Sequence, residues 1–128
     1  DSAFTAEDLD YLANSGSKLA EFCVDCNGTL ISLIEKMVGE RFLMLPDPTA
    51  IAILAKPELI AGSFDSYTRV ETQGGPRVYG ATINDRRTDD THPFRADSHK
   101  NIGETNCKVV YQLDGKAFKD YLFSLVIG

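Results

Sequence analysis

The sequence predicts an α/β fold, and three observations support that prediction. Apolar residues recur at steps of three and four over 18–38, which is typical of an amphipathic helix. Two runs rich in Thr, Val, Tyr and Ile, 65–72 and 77–84, flank the glycine-containing turn 73–76 and indicate a strand–turn–strand unit. A third strand is expected over 107–113. Helices interleaved with two or three strands are typical of the α/β class.

Capping residues indicate where the first helices start. Thr5, with Asp8 three residues later, resembles a capping box that opens a short helix ending near Ser15. Ser17 should cap a longer helix over 18–38, and we expect one face of that helix to point into the core. The residues of this predicted core stripe are Leu19, Phe22, Cys23, Cys26, Leu30, Leu33, Ile34 and Met37.

The C-terminal part should contain a loop, a strand and a final helix. Residues 86–103 are polar and lack any period, so we expect a long surface loop there. Asp114-Gly115 is interpreted as the exit turn of the last strand. A helix over 116–126 should follow, with Phe118, Tyr121, Leu122 and Leu125 facing inward.

We expect residues 1–128 to form a single partial domain. A chain of this length suffices for one core and is short for two, and no linker or repeat is visible. Three strands make a thin sheet, and any parallel members would need cover on both faces. An isolated copy should therefore expose apolar surface that a missing part of the domain or a partner chain would cover.

Composition and charge argue against binding to nucleic acid and against a membrane-spanning segment. The net charge is −6 and the 13 Lys and Arg residues are scattered, so nothing resembles a nucleic-acid-binding patch. No apolar run approaches the roughly 20 residues that span a bilayer. No signal peptide is visible, and a cytoplasmic location is favoured. Because the chain opens with Asp1 rather than methionine, we expect a processed terminus or a fragment.

The cysteines and histidines do not form a recognisable reactive site. Cys23, Cys26 and Cys107 are interpreted as reduced thiols buried in the core, and His92 and His99 lie at no recognised metal spacing. The sequence also lacks the Gly-x-Ser-x-Gly motif of serine hydrolases. An unrelated hydrolase with a Ser or Cys nucleophile is therefore discounted.

The candidate site residue is Asp47, the only ionisable group in the apolar run 42–54. Pro48 has a helical φ and lacks the N–H that a first helical position leaves unpaired, so Asp47 should be the N-cap of a helix that Pro57 ends. Apolar neighbours predict a buried helix start, where a carboxylate needs N–H groups, a cation or a polar ligand. Two interpretations remain open: a cap, the commoner role of Asp at this position, and a functional ligand.

Four motifs carry a resemblance to a known family: PDPTAIAIL at 46–54, KPELI at 56–60, YTRVET at 67–72 and RVYGATIND at 77–85. In order and spacing they are similar to the C-terminal portion of inosine-uridine type nucleoside hydrolases, whose chains are substantially longer. The resemblance implies a Rossmann-like α/β fold. It also implies that Asp47 occupies the position of the last calcium-ligating aspartate of the family.

The resemblance implies a calcium-dependent enzyme that hydrolyses a ribonucleoside to ribose and free base. In such an enzyme carboxylates and ribose hydroxyls hold the Ca²⁺, which activates the attacking water. Two features depart from the family. Pro46 stands where many members have a histidine proposed as the acid near the leaving base, and the N-terminal aspartate cluster has no counterpart in the chain.

Two functions therefore remain open. The first is the C-terminal part of a calcium-dependent nucleoside hydrolase, inactive until a missing N-terminal half or a partner chain supplies the other ligands. The alternative is a non-catalytic binding or structural subunit that retains the fold. We also expect a homo-oligomer, and the residues do not decide between a purine and a pyrimidine base.

Overall fold

The computed structural model describes residues 2–86 and 104–128. The described helices are α1 (Ala6–Ala13), α2 (Lys18–Cys26), α3 (Gly28–Val38), α4 (Pro46–Ala55), a short 3₁₀ turn (Pro57–Leu59) and α5 (Gly115–Val126). The described strands are β1 (Ile60–Val70), β2 (Thr82–Asp85) and β3 (Cys107–Leu113). The predicted loop 86–103 lies, apart from Arg86, outside the described residues.

The chain divides into two compact units. The first comprises Asp1–Ala61 with Leu113–Gly128, and the second comprises Gly62–Gln112. The predicted helices fall in the first unit, and most of the strand residues fall in the second.

The start of α1 confirms the predicted capping box. The Thr5 hydroxyl accepts the Asp8 backbone N–H at 3.3 Å, and the Asp8 carboxylate accepts the Thr5 backbone N–H at 2.8 Å. The same carboxylate accepts a 2.5 Å hydrogen bond from the Lys119 ammonium of α5. Leu9 and Leu12 of α1 are buried. The cap and the ion pair therefore fix α1 against α5 at the edge of the core.

The predicted helix 18–38 is divided at Asn27 into α2 and α3, and its predicted core stripe is wrong. Ser17 caps α2 as expected, but the side chains that enter the core are Ala20 and Ile31. These two residues pack with α1, and no further layer among the described residues of the first unit covers the remaining apolar stripe. Its exposed members are Leu19, Phe22, Cys26, Leu30, Leu33 and Met37.

The cysteines are less buried than predicted. Cys23 and Cys107 are half-buried and Cys26 is exposed, because Cys26 lies on the uncovered stripe. All three are free thiols. The expectation that all three cysteines are buried in the core is therefore wrong.

Two neighbouring clusters form the core of the first unit. One contains Phe4, Leu9, Leu12, Ala20, Ile31 and Leu43, and the other contains Ala52, Leu59 and Phe118. Leu45 and Leu122 pack against both clusters and so join them.

Helix α5 is correctly predicted except that it begins one residue earlier, at Gly115. Asp114 is its N-cap rather than part of an exit turn, because its carboxylate accepts the Ala117 backbone N–H at 2.9 Å. Phe118 is fully buried, as expected. Leu125, predicted to face inward, is 55% exposed.

The second unit contains a sheet with strand order β2-β1-β3. Strands β1 and β2 are antiparallel, with Tyr67 opposite Asp85. Cross-strand contacts also place β3 antiparallel to β1: the Phe64 and Tyr111 rings stack with centroids 6.0 Å apart, and Lys108 pairs with Asp65 at 2.9 Å. Neighbouring strands among β1, β2 and β3 are therefore antiparallel. The parallel pairing that the sequence left open does not occur among the described strands.

The turn between β1 and β2 is longer than predicted, because residues 77–81 are not in a strand. The Glu71 carbonyl accepts the Gly80 N–H at 2.8 Å, and Gly80 has a φ of 84°, which favours glycine. The Glu71 carboxylate accepts the backbone N–H groups of Gln73 and Gly74 at 2.7 and 2.9 Å. These two bonds lower the pKa of Glu71 because they stabilise its charged form.

We predict that the Asp8–Lys119 pair contributes measurably to stability. The side chains are only 19% and 22% exposed. Burial opposes ionisation of Asp8, but hydrogen bonds from Lys119 and Thr5 outweigh it and lower the pKa of the carboxyl. Asp8→Asn should therefore reduce the free energy of unfolding at neutral pH by about 2 kcal/mol, the usual range for a hydrogen bond to a charged group.

The contribution of Asp8 to the free energy of unfolding should change with pH in one direction. Because the folded-state pKa is lowered, the contribution of Asp8 is complete above its ordinary pKa of 3.8 and is lost as the pH falls through the folded value. Urea unfolding of the parent and of Asp8→Asn between pH 2 and pH 7 measures this contribution. Asp120→Asn is the control. Asp120 pairs with Lys116 on the exposed face of α5, where solvent screens the charges, so its loss should have a much smaller effect on stability than the loss of Asp8. Equal losses in both variants would contradict the prediction.

Candidate functional site

Helix α4 begins two residues earlier than the sequence predicts. The N-cap is Leu45, whose carbonyl accepts the Thr49 backbone N–H at 3.0 Å and the Thr49 hydroxyl at 2.6 Å. Pro46 takes the first helical position, where its missing N–H is not needed for a helical hydrogen bond. The prediction that Asp47 is the N-cap is therefore wrong. Asp47 is instead the second residue of the first turn.

The surroundings of Asp47 also differ from the prediction. Its side chain is exposed, whereas a buried helix start was expected. Within residues 2–86 and 104–128, no hydrogen bond or ion pair joins its carboxylate to another side chain or to the backbone. The helix dipole favours a negative charge in the first turn. Asp47 therefore presents an available carboxylate whose charge the helix stabilises.

Asp47 can supply one ligand to a metal ion but does not form a site alone. Ca²⁺ takes about six to eight oxygen ligands. The described part of the chain contains no group of three or more His, Cys, Asp or Glu side chains placed to hold a metal. Pro46, directly before Asp47, offers no proton to a leaving group.

An apolar groove lies beside Asp47, between α4 and α5. The groove has a volume of about 380 Å³. We call it the α4–α5 groove, and its lining consists of Asp47, Pro48, Ile51, Ala52, Ala55, Tyr121, Leu122 and Leu125. Asp47 is the only charged member of this lining, so one carboxylate stands at the edge of an otherwise apolar surface. No sequence pattern predicted this groove.

A second cavity, of about 190 Å³, lies inside the first unit and is not a catalytic candidate. It is bordered by apolar side chains of the first core cluster, with Cys23 and Asn27 also in its wall. The Asn27 amide donates to the Cys23 carbonyl at 2.8 Å. The cavity therefore offers no carboxylate or cation to a substrate.

A wider recess near the start of α1 contains charged residues, but its cations are already paired. Its lining includes Arg41 and Lys119. Arg41 contacts the Asp10 carboxylate at 2.5 Å, and Lys119 contacts Asp8 at 2.5 Å. The first pair joins the loop between α3 and α4 to α1, and the second joins α5 to α1, which indicates a structural role for both.

The remaining sequence candidates do not join Asp47. His92 and His99 lie outside the described residues. Cys23 borders the internal cavity rather than the α4–α5 groove. None of the helices in the described ranges has the length and apolar character needed to cross a membrane.

Comparisons with known proteins give matches at the level of structure. No protein-family model matches the sequence. No curated protein matches it either. Among solved structures, a plant nucleoside hydrolase is 18% identical, with a TM-score of 0.77 over 97% of this chain and 37% of its own.

Two further solved structures give similar values. An inosine-guanosine nucleoside hydrolase is 26% identical, with a TM-score of 0.72 over 98% of this chain and 35% of its own. A purine-preferring ribonucleoside hydrolase from Gardnerella vaginalis is 19% identical, with a TM-score of 0.74 over 99% of this chain and 36% of its own.

The 128 residues thus span between 35% and 37% of the length of the nucleoside hydrolases that they match. Nearly the whole chain takes part in each match, so both the helices and the thin sheet belong to the shared fold. The resemblance predicted from the four sequence motifs is confirmed: the chain has the fold of the C-terminal portion of a nucleoside hydrolase.

Proposed function

We propose that the chain is the C-terminal part of a calcium-dependent nucleoside N-ribohydrolase, which cleaves a ribonucleoside into ribose and free base. The observation that carries the proposal is the position of Asp47. It stands in the first turn of α4, exposed and without a partner among the described residues, in a chain that shares the nucleoside hydrolase fold. A carboxylate with no structural partner is free to bind a metal ion or another ligand.

The donor chemistry of Asp47 fits calcium as one ligand of several. A carboxylate oxygen is a hard ligand of the type that Ca²⁺ prefers, and the exposed side chain of Asp47 is accessible to a metal ion. When bound, calcium would polarise a water molecule and orient the sugar hydroxyls. Asp47 itself would hold the metal and would not exchange protons with the substrate.

The names of the matched structures indicate which substrate to test first. The three matched structures are named as nucleoside hydrolases, one for inosine and guanosine and one as purine-preferring. We therefore propose a purine ribonucleoside as the first substrate to test. Because Pro46 cannot donate a proton, protonation of the leaving base must come from a residue outside the motif at 46–54.

A second candidate is a binding or structural subunit that retains the fold without catalysis. Two observations favour it: Pro46 stands where many members of the family have a histidine, and the described residues contain no acidic cluster. This subunit would still contribute its surfaces to an assembly, but substitution of Asp47 would have no effect on turnover.

We predict that the 128-residue chain alone does not hydrolyse nucleosides. One carboxylate cannot satisfy the coordination of calcium, and the nucleophilic water would lack both its metal and its base. Release of ribose from inosine and uridine, followed with and without calcium, checks this. Robust calcium-dependent release by the purified chain would contradict the prediction.

We predict that Asp47→Asn weakens calcium binding in the full-length protein that contains this chain. Loss of one charged ligand should raise the calcium Kd by at least tenfold, since ligand charge is a main determinant of affinity. Nucleoside turnover by Asp47→Asn at saturating calcium should also fall. Calorimetric titration and ribose release measure the two effects.

The same substitution should leave stability without metal almost unchanged, because the Asp47 side chain makes no hydrogen bond among the described residues. Asp120→Asn is the control for removing one negative charge, and its calcium affinity should equal that of the parent. If Asp47→Asn retains parental affinity and turnover, Asp47 is not a ligand and the non-catalytic subunit becomes the better account.

A further inference from the structure

The internal cavity of the first unit lies among the most buried side chains of that unit. Its volume is about 190 Å³. Leu9, Leu12 and Leu43 form part of its wall, and each of them is at most 4% exposed. The other lining side chains are also apolar, except for Cys23 and Asn27. The cavity therefore belongs to the core and not to the surface of the unit.

The wall of the cavity contains little that would hold water. A buried water molecule needs several polar partners. The Asn27 amide already donates to the Cys23 carbonyl at 2.8 Å, and the Cys23 thiol is only a weak donor and acceptor. Within residues 2–86 and 104–128, no buried side-chain nitrogen or oxygen lacks a hydrogen-bond partner. We therefore expect the cavity to be dry.

The size of the cavity suits a small aromatic molecule. Apolar protein cavities of about 150 Å³ stay dry and take up benzene or xenon. Side chains around a void lack contact atoms on one side, and an occupant of matching shape restores those contacts. We propose that this cavity is a binding site for a small, uncharged, apolar molecule of about the size of benzene.

The chemistry of the wall restricts the ligand to uncharged molecules. Within the described part of the chain, the lining contains no Lys, Arg, Asp or Glu side chain. Transfer of a charged group from water into an apolar space without a partner is strongly unfavourable. A ring with a carboxylate attached should therefore not bind, even where the ring alone fits.

The wall formed by α2 is the side on which the ligand enters. Cys23, Val24 and Asn27 are half-buried, whereas the α1 side chains of the wall are fully buried. Asn27 also ends α2 and precedes α3 without a side-chain hydrogen bond that caps α3. Because the helix is interrupted beside the cavity, a local displacement there breaks few helical hydrogen bonds.

An occupant would contact the segment that leads into α4 from its buried side. Leu43, Leu45 and Pro48 line the cavity, but Asp47 does not. The proposal therefore goes beyond the proposed function and does not depend on calcium binding.

Crystals of the full-length protein that contains this chain, pressurised with xenon, test the proposal directly. Xenon should give an anomalous peak in van der Waals contact with Leu9, Cys23 and Leu43. Absence of xenon from the cavity would overturn the proposal. Ordered water in the cavity, or a segment from outside this chain that fills it, would overturn it as well.

Thermal unfolding of the full-length protein with benzene provides a test in solution. A ligand that binds the folded state and not the unfolded state raises the Tm. Benzene should therefore raise the Tm by several degrees, whereas benzoate, which has the same ring and a negative charge, should not. A Tm unchanged by benzene, or an equal rise with benzoate, would overturn the proposal.

A matched pair of variants locates the benzene effect. Cys23→Leu adds side-chain volume to the cavity wall, whereas Cys26→Leu makes the same change at an exposed position of α2. The benzene-dependent rise in Tm should be lost in Cys23→Leu and retained in Cys26→Leu. A full rise in Cys23→Leu would overturn the proposal. If Cys23→Leu does not fold, xenon binding by the parent decides the question.

Discussion

The position of Asp47 depends on how the chain is held just before α4. Leu43 exchanges two backbone hydrogen bonds with Phe4, each 2.9 Å long, and Leu45 packs against both core clusters. The Leu45 carbonyl then accepts two hydrogen bonds from Thr49, which fixes the start of the helix at Pro46. The backbone position of Asp47 is therefore set by the packing of Leu45 and by the hydrogen bonds that open the helix, and not by a cap of its own.

Helix α4 places two different requirements on its surroundings. Its first turn carries a carboxylate that needs polar partners or water, and the rest of the helix carries aliphatic side chains that need to be covered. In this chain only one side of helix α4 packs against the core, through Ala52. The fold shared with much longer nucleoside hydrolases provides a single explanation for both features, since the part outside these residues would complete the metal site and bury the helix.

The sequence predicted the elements better than their burial. The Thr5–Asp8 capping box, the strand over 107–113 and the buried Phe118 follow from local patterns, and the structure contains them. The apolar stripe of α2 and α3 was misassigned because periodicity shows that a face is apolar but not whether this chain contains the layer that covers it. The N-cap was misassigned because Pro46 and Pro48 both suit the first turn, and only the hydrogen bonds to Leu45 distinguish them. The α4–α5 groove depends on two helices that are distant in sequence, so no local pattern could predict it.

The central claim is that Asp47 ligates calcium once the fold is complete, and anomalous diffraction from calcium-loaded crystals of the full-length protein tests it most directly. The account predicts an anomalous peak at about 2.3–2.6 Å from a carboxylate oxygen of Asp47, the usual distance for a calcium–oxygen bond. Further oxygen ligands should come from residues outside this chain. A fully coordinated calcium ion whose ligands exclude Asp47 would contradict the claim.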